Sequence, residues 1–228
     1  MINVTVHKDP QVESLIDLYD GLLAASNYQL PIKSHLEQLS KRLLSGHEQK
    51  HPGIQFLSAR KFGRKSMAEI FSSEFTLEDA RNCVAQDFGY KNWNEVNKLD
   101  DSKPDAGFES LVDSLLAGDL EVIKHAIATE PGLVHQRSSY PHKSTLLHYT
   151  GSNGVEGYRQ VVASNLADIV DCLLSSGSDM FLEAQVYDGC TAEELMKTSK
   201  HPHDAGLFEA VQKVFNRYHK TRPRSTEN

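Results

Sequence analysis

Two strings of sequence, STLLHYTGSNG at residues 144–154 and LADIVDCLLSSGSD at residues 166–179, decide the fold prediction. The first begins with Ser144 and Thr145, continues through leucines and a histidine, and stops at Gly154, as a short helix that ends on a glycine does. The second has apolar residues at helical spacing and stops at Gly177. They predict two consecutive helices, separated by the eleven residues 155–165, which we call the insert.

The segments on either side have a similar organisation. Upstream, FESLVDSLLAGDLEVIKHAIATEPGLV at residues 108–134 predicts a pair of helices that turn at Gly118 and Asp119. Downstream, VYDGCTAEELMKTS at residues 186–199 predicts a tight turn and then a helix that begins at Thr191. The chain from residue 108 onward therefore repeats one supersecondary unit.

The spacing of these units can be measured. Gly118 and Gly154 are 36 residues apart, and Thr145 and Thr191 are 46 apart, or 35 once the insert is left out. Both values are near the period of about 33 residues that one class of helical repeat has. Because about three repeats are usually needed for a stable stack, these units are expected to depend on neighbouring structure.

The residues also resemble a known family. STLLHYTGSNG is similar to the opening of an ankyrin repeat, Thr-Pro-Leu-His followed by a short helix and a glycine, with a one-residue shift at the histidine. The matching residues are Thr145, Leu146, Leu147, His148 and Gly154, and, in the second helix and its turn, Leu173, Leu174, Gly177 and Asp179. FTLEDARNCVAQDFGYKNWNEV, at residues 75–96, resembles the helical segment that precedes the repeats in a group of bacterial ankyrin-repeat proteins of undefined activity. The resemblance covers roughly residues 75–211 and implies a binding scaffold.

We therefore predict an all-α protein with an N-terminal helical domain followed by a short, irregular ankyrin-repeat stack. The polar segment DDSKPDAG favours a boundary before residue 108. The predicted units are an N-terminal domain at 1–100, a linker at 101–107, repeats at 108–140, at 141–182 with the insert, and at 183–219 in part, and a flexible basic tail at 220–228.

Capping residues predict several helix starts in the N-terminal domain. A hydroxyl or amide side chain followed three residues later by an acid is typical of a helix N-terminus. The pairs are Ser34 with Glu37, Ser66 with Glu69, Thr76 with Asp79, and Asn92 with Glu95. Asn165, with Asp168, is expected to cap the helix after the insert in the same way.

Composition limits the classes of protein. A net charge of −7 over 228 residues and a pI of about 5.9 make nucleic acid an unexpected partner. The three cysteines have no metal-ligand spacing and are interpreted as reduced thiols of a cytoplasmic protein. The N-terminus lacks the pattern of a signal peptide, and no apolar run is long enough for a membrane span.

The insert and its surroundings contain the candidate binding residues. The string NGVEGYRQ resembles one found at this point in the same bacterial family, and it concentrates side chains that form directional hydrogen bonds. The candidates are His148, Asn153, Glu156, Tyr158, Arg159, Gln160 and His201. Two interpretations stay open. The insert is either a recognition loop or polar pocket, in which Glu156 and Arg159 bind a partner at little cost to stability, or a packing loop between irregular repeats. His148 is interpreted as structural, bonded to the backbone of the repeat turn.

One motif matches a metalloprotease signature. His47-Glu48-Gln49-Lys50-His51 is H-E-x-x-H, which binds zinc when both histidines lie on one helix face. Pro52 follows directly and disfavours helical geometry at His51, so the helix is expected to end within the motif. We therefore predict no enzyme, no cofactor and no metal site.

The sequence thus favours non-catalytic recognition of another protein, through the concave face of the ankyrin stack and the loop at 153–165. The alternative is a small-molecule or metal-binding sensor with a polar pocket formed by the insert and residues 201–206. The basic groups Arg60, Lys61, Arg64 and Lys65 are interpreted as solvated surface. The partner and the oligomeric state are not specified by the sequence.

Overall fold

The computed structural model describes residues 4–221, which form a mostly helical fold with 61% helix and 4% strand. This confirms the helical class of the prediction. The α-helices are α1 Pro10–Leu18, α2 Ile32–Glu48, α3 Gln55–Phe62, α4 Met67–Ser72, α5 Leu77–Asp87, α6 Trp93–Val96, α7 Ala106–Ala117, α8 Leu120–Thr129, α9 Leu146–Tyr149, α10 Leu166–Ser175, α11 Ala192–Thr198, α12 Lys200–Asp204 and α13 Phe208–Thr221. Short 3-10 helices span Ala25–Gln29, Pro52–Ile54, Pro131–Val134 and Gly157–Arg159.

There are two pairs of very short antiparallel strands, and the first of them joins distant segments. The strands are β1 Val6–His7, β2 Val162–Ala163, β3 Glu183–Ala184 and β4 Cys190–Thr191. In the first pair Val6 lies opposite Ala163, so the start of the chain is hydrogen-bonded to the insert. In the second pair Glu183 lies opposite Thr191, which makes a β-hairpin directly before α11.

Most of the predicted helix starts in the N-terminal region are confirmed. Ser66 and Thr76 each form a reciprocal capping box with the acid three residues on, and Asn92 caps α6. The start predicted at Ser34 is wrong. Helix α2 begins at Ile32 because its first N–H donates to the Ser102 carbonyl at 2.8 Å.

The region after residue 105 contains the predicted helix pairs. Helices α7 and α8 are separated by Gly118, whose φ of 84° is the left-handed conformation that a glycine accepts without strain. Thr191 opens α11 with a capping box to Glu194, as predicted. Asn165 precedes α10, but its side-chain oxygen accepts no N–H of the helix, and its Nδ2 donates to the Gly118 carbonyl at 2.8 Å. That bond links the second helix pair to the turn of the first.

Two hydrophobic clusters make up the interior, and each contains side chains from both regions of the chain. The cluster of the N-terminal helices includes Tyr140 and Tyr158 from the region beyond residue 108. The cluster of the later helices includes Val12 from α1. Because each cluster contains side chains from both regions, the helices before and after residue 100 stabilise each other.

The predicted linker and tail differ in detail from the structure. Helix α7 starts at Ala106, inside the predicted linker, and α13 continues through Lys220 and Thr221, the first two residues of the predicted tail. The rest of the tail, from residue 222, lies outside the described residues. Cys83, Cys172 and Cys190 are free thiols. Among residues 4–221, no helix combines the length and hydrophobicity that a membrane span requires.

Candidate functional site

A surface cleft of about 270 Å³ lies where α3 and α5 meet the insert and the β3–β4 hairpin. We call it the hairpin cleft. Its polar and aromatic lining consists of Arg60, Gln86, Asp87, Gln160, Gln185 and Tyr187. Four separate parts of the chain therefore contribute to one concave surface, a common arrangement for binding sites.

The hairpin presents Tyr187 at the edge of this cleft. The turn closes with a hydrogen bond of 2.9 Å from the Gly189 N–H to the Val186 carbonyl. Tyr187 and Asp188, its central residues, have φ values of 50° and 65°, which is the combination of a type I′ turn. A bulky residue in this left-handed region costs of order 1 kcal/mol. The conformation leaves the Tyr187 side chain 67% exposed, with its hydroxyl donating to Asn153 Oδ1 at 3.0 Å.

Asp87 forms the floor of the cleft and holds the insert against α5. Its fully buried carboxylate accepts from Arg60 Nη2 at 2.8 Å and from the Gly157 N–H at 3.1 Å. Burial raises the pKa of Asp87 to about 6, although Arg60 and the Gly157 N–H oppose the shift. The insert is therefore fastened to the N-terminal helices through its own backbone.

Behind the cleft, Arg159 lies inside the protein with only 1% of its surface exposed. Its guanidinium donates to the carboxylates of Glu109 and Asp113, to the Glu109 carbonyl, to Glu156 and to the Tyr28 hydroxyl. Three aromatic rings, of Tyr28, Tyr149 and Tyr158, lie 5.4–5.6 Å from its centre. We call these residues the Arg159 network.

The carboxylates of this network have different environments. Burial raises the pKa of Glu109, and the Arg159 charge only partly offsets that effect. Glu156 is also fully buried, but the charge of Arg159 and the hydrogen bond with His142 outweigh the effect of burial and lower its pKa. His142 Nδ1 accepts the Ser144 N–H, so its Nε2 carries the proton that faces Glu156 at 3.4 Å.

These positions change the interpretation of Glu156 and Arg159. The sequence suggested that both side chains are available to a partner, whereas the structure encloses them and bonds them to other parts of the chain. A buried ion pair that loses one member leaves an uncompensated charge. The expectation that their truncation leaves stability nearly unchanged is therefore corrected, and the packing-loop interpretation is favoured for these two residues.

The other predicted site residues fall into two groups. His148 is buried, with Nδ1 accepting from Thr145 and Nε2 bonded to the Leu182 carbonyl at 3.0 Å, which confirms its structural interpretation. Tyr158 is packed against Phe88 and Arg159. Asn153 and Gln160, in contrast, reach the hairpin cleft, Asn153 through its bond to Tyr187 and Gln160 as part of the lining.

His201 lies away from the hairpin cleft, near the start of the chain. Its Nδ1 and the Nε2 of His7 are buried without a hydrogen-bond partner within residues 4–221. A groove of about 330 Å³ is lined by His7, Val162, Ser164 and Asp204. The insert and the 201–206 segment thus approach each other here, as the sensor alternative required. Within the described chain, no three His, Cys, Asp or Glu side chains are arranged to hold a metal ion.

The H-E-x-x-H motif does not form a continuous helix. Helix α2 ends at Glu48, which confirms that the helix stops within the motif. His47 Nε2 bonds to the Ile70 carbonyl at 2.8 Å. His51 lies beyond the helix, where its Nδ1 accepts the Gly53 N–H and its Nε2 faces Asp17. The two imidazoles therefore have separate structural partners.

Sequence reasoning missed most of the cleft and the network. Glu109 and Asp113 were part of a predicted helix, and neither had a signal beyond its charge. The charge pattern predicts solvated surface for Arg60, and the turn predicted at residues 188 and 189 does not identify Tyr187 as a cleft residue. An aromatic residue directly before Asp-Gly in a hairpin turn is the sequence signal that could have identified Tyr187. Comparison of the chain with protein-family models, curated proteins and solved structures gave no match.

Proposed function

We propose that this chain is a non-catalytic binding module of the ankyrin-repeat type that recognises another protein. The region after residue 105 has features that support the repeat assignment. The pairs α7–α8 and α9–α10, and the hairpin that leads into α11, follow one another in the expected order. Thr145 and His148 bond each other at 2.8 Å inside the short helix α9, so the residues that carry the resemblance act together.

The exposed Tyr187 is the observation that carries the recognition proposal. A tyrosine supplies a large apolar area and a polar tip, and such residues are enriched among those that dominate binding energy at protein interfaces. Here the hairpin adopts an unfavourable backbone conformation that holds the ring at the edge of a cleft. Packing inside the chain does not account for a ring that is 67% exposed.

Affinity capture from native lysate tests the proposal. The full chain is immobilised as wild type, as Tyr187→Ala and as Val122→Ala, the last being a matched control because Val122 is 49% exposed on α8. We expect proteins that are captured saturably by wild type and by Val122→Ala, and that are lost with Tyr187→Ala. If Tyr187→Ala retains them all, the hairpin is not the recognition surface.

A second candidate function is a small-molecule sensor at the groove beside β1. It is favoured by the Nε2 of His7, a groove residue, which is buried without a hydrogen-bond partner within residues 4–221, since buried polar atoms are normally hydrogen-bonded. A ligand that bonded this nitrogen would raise the melting temperature of wild type. The same ligand should not stabilise a His7→Phe variant, and equal stabilisation of both proteins would contradict this candidate.

A further inference from the structure

Arg60 lines the hairpin cleft and has N–H donors that form no hydrogen bond within the described chain. Its Nη2 donates to Asp87, but its Nε and Nη1 have no hydrogen-bond acceptor within the described chain. The guanidinium is about one quarter exposed, so these donors can reach a ligand. The carboxamide of Gln185, on the exposed hairpin, is also without a bond within residues 4–221.

The size of the cleft favours a short stretch of polypeptide. Pockets for drug-sized ligands and cofactors usually have about 300–1,000 Å³ and enclose most of the ligand. The hairpin cleft has about 270 Å³ and lies at the surface, with Tyr187 beside it. Such a site holds one or two side chains of a longer partner and leaves the rest outside.

The charges around the cleft indicate the chemistry of that stretch. Asp87 is enclosed and already bonded to Arg60 and to the Gly157 N–H, so it cannot serve an external cation. Arg60 belongs to a basic run that continues with Arg64 and Lys65. At the opposite end, Asp188 follows Tyr187 and disfavours a carboxylate there. A hydrogen bond from a charged guanidinium N–H to a carboxylate is about twice as strong as one to a neutral amide.

We propose that the hairpin cleft binds an acidic peptide segment of the partner, with a Glu or Asp carboxylate on Arg60 and a neighbouring apolar side chain on Tyr187. The Gln185 carboxamide, which also lines the cleft, pairs with the peptide backbone. The inference rests on the proposed protein-recognition function and adds the class of partner. It also assigns Arg60 a role beyond solvated surface.

Matched peptide libraries provide the test. Acetylated and amidated tetrapeptides, each with one leucine and one fixed position of Glu, Gln or Lys, are passed over the immobilised full chain. We expect the Glu library to be retained about tenfold more strongly than the Gln library, because a charged hydrogen-bond partner is replaced by a neutral one of the same shape. The Lys library should bind least. Equal retention of Glu and Gln, or no saturable binding of any library, overturns the proposal.

Variants of the protein test whether Arg60 is the residue that binds the peptide carboxylate. Arg60→Gln alone would leave the buried Asp87 without its partner, so it is combined with Asp87→Asn, which removes both charges and keeps the shapes. The double variant should retain Glu and Gln peptides equally, whereas the control Arg64→Gln should keep the tenfold preference. A preference that survives in the folded double variant overturns the assignment of Arg60.

The experiments distinguish failure of the acidic-peptide proposal from failure of the protein-recognition proposal. If lysate capture depends on Tyr187 but peptides show no acidic preference, protein recognition stands and the acidic partner is wrong. If Tyr187→Ala affects neither lysate capture nor peptide retention, both are wrong. Circular dichroism and thermal unfolding of each variant verify that a lost interaction is not a lost fold.

Discussion

The guanidinium of Arg159 donates to the hydroxyl of Tyr28 at 2.6 Å, a bond between residues 131 positions apart in the chain. The same hydroxyl donates to Asp113 Oδ2 at 2.6 Å. One phenol therefore joins the insert, helix α7 and the 3-10 helix Ala25–Gln29. Because each of these polar groups is removed from water, the three segments hold their relative positions only while the whole set remains bonded.

Arg159→Ala should strongly destabilise the fold. The substitution removes the cation that faces Glu109, Asp113 and Glu156, and it leaves buried carboxylates without a partner. Breaking a buried ion pair in this way usually costs about 3–5 kcal/mol. Chemical denaturation gives the change in the free energy of unfolding.

The exposed pair of Arg217 and Asp171 is the matched control for that measurement. Its arginine lies on the surface, so Arg217→Ala should change the free energy of unfolding by less than about 1 kcal/mol. An Arg159→Ala protein that is as stable as Arg217→Ala would mean that the buried network contributes nothing, and it would restore the recognition-loop interpretation of the insert.

His148→Ala should lower the free energy of unfolding by about 1–3 kcal/mol and leave the helical content unchanged. The imidazole connects the Thr145 backbone to the Leu182 carbonyl, and both partners would lose a buried hydrogen bond. His125→Ala, on the exposed side of α8, is the control and should have little effect. If His148→Ala proves as stable as wild type, the histidine does not have the structural role described above.

Acid should reveal the buried state of His148. Burial lowers its pKa to about 4 from the ordinary value of 6.5, so the folded protein resists protonation that the unfolded chain accepts. The stability contributed by this histidine is present above pH 6.5 and is lost as the pH falls through about 4. The stability difference between wild type and a His148→Asn variant should therefore shrink over that interval, as measured by denaturation at several pH values.

Asp87 should have the opposite dependence on pH. Its pKa is raised to about 6 from the ordinary value of 3.8, so its stability contribution is present below pH 3.8 and is lost as the pH rises through about 6. Relative to Asp87→Asn, wild type should gain up to about 3 kcal/mol when the pH falls across this range. Taking the difference between the two proteins cancels the contribution of His148. If the stability difference between wild type and Asp87→Asn is the same at all pH values, the pKa of Asp87 is not raised by burial.

Gly157→Ala tests whether the insert is packed as tightly as the structure indicates. A Cβ atom at this position would lie 2.5 Å from Phe56 Cε1 and 3.1 Å from Leu15 Cδ2. Relieving such overlap in a packed interior costs about 1–3 kcal/mol. Gly132→Ala is the control, because nothing lies within 4 Å of its added methyl group. Equal melting temperatures for the two variants would show that the insert has room to move.

The sequence by itself determined the local structure around particular residues. Ser66, Thr76 and Thr191 start helices because each hydroxyl can satisfy an orphan N–H only a few residues away. Gly118 ends α7 for an equally local reason, its tolerance of positive φ. His148 was also correctly interpreted, because one of its two bonds lies within its own turn.

Only the tertiary structure decided where the polar side chains of the insert lie. Helical periodicity reveals which face of a helix is buried, but the insert contains only one 3-10 turn and the two-residue strand β2, which are too short for such a pattern. The environment of Arg159 is set by Tyr28, Glu109 and Asp113, which come from two other segments. The hairpin cleft likewise depends on packing α5 against residues about 100 positions later. Contacts between distant segments follow from how the whole chain packs, so the sequence near the insert could specify a loop and its chemistry but not whether that chemistry faces water or the protein interior.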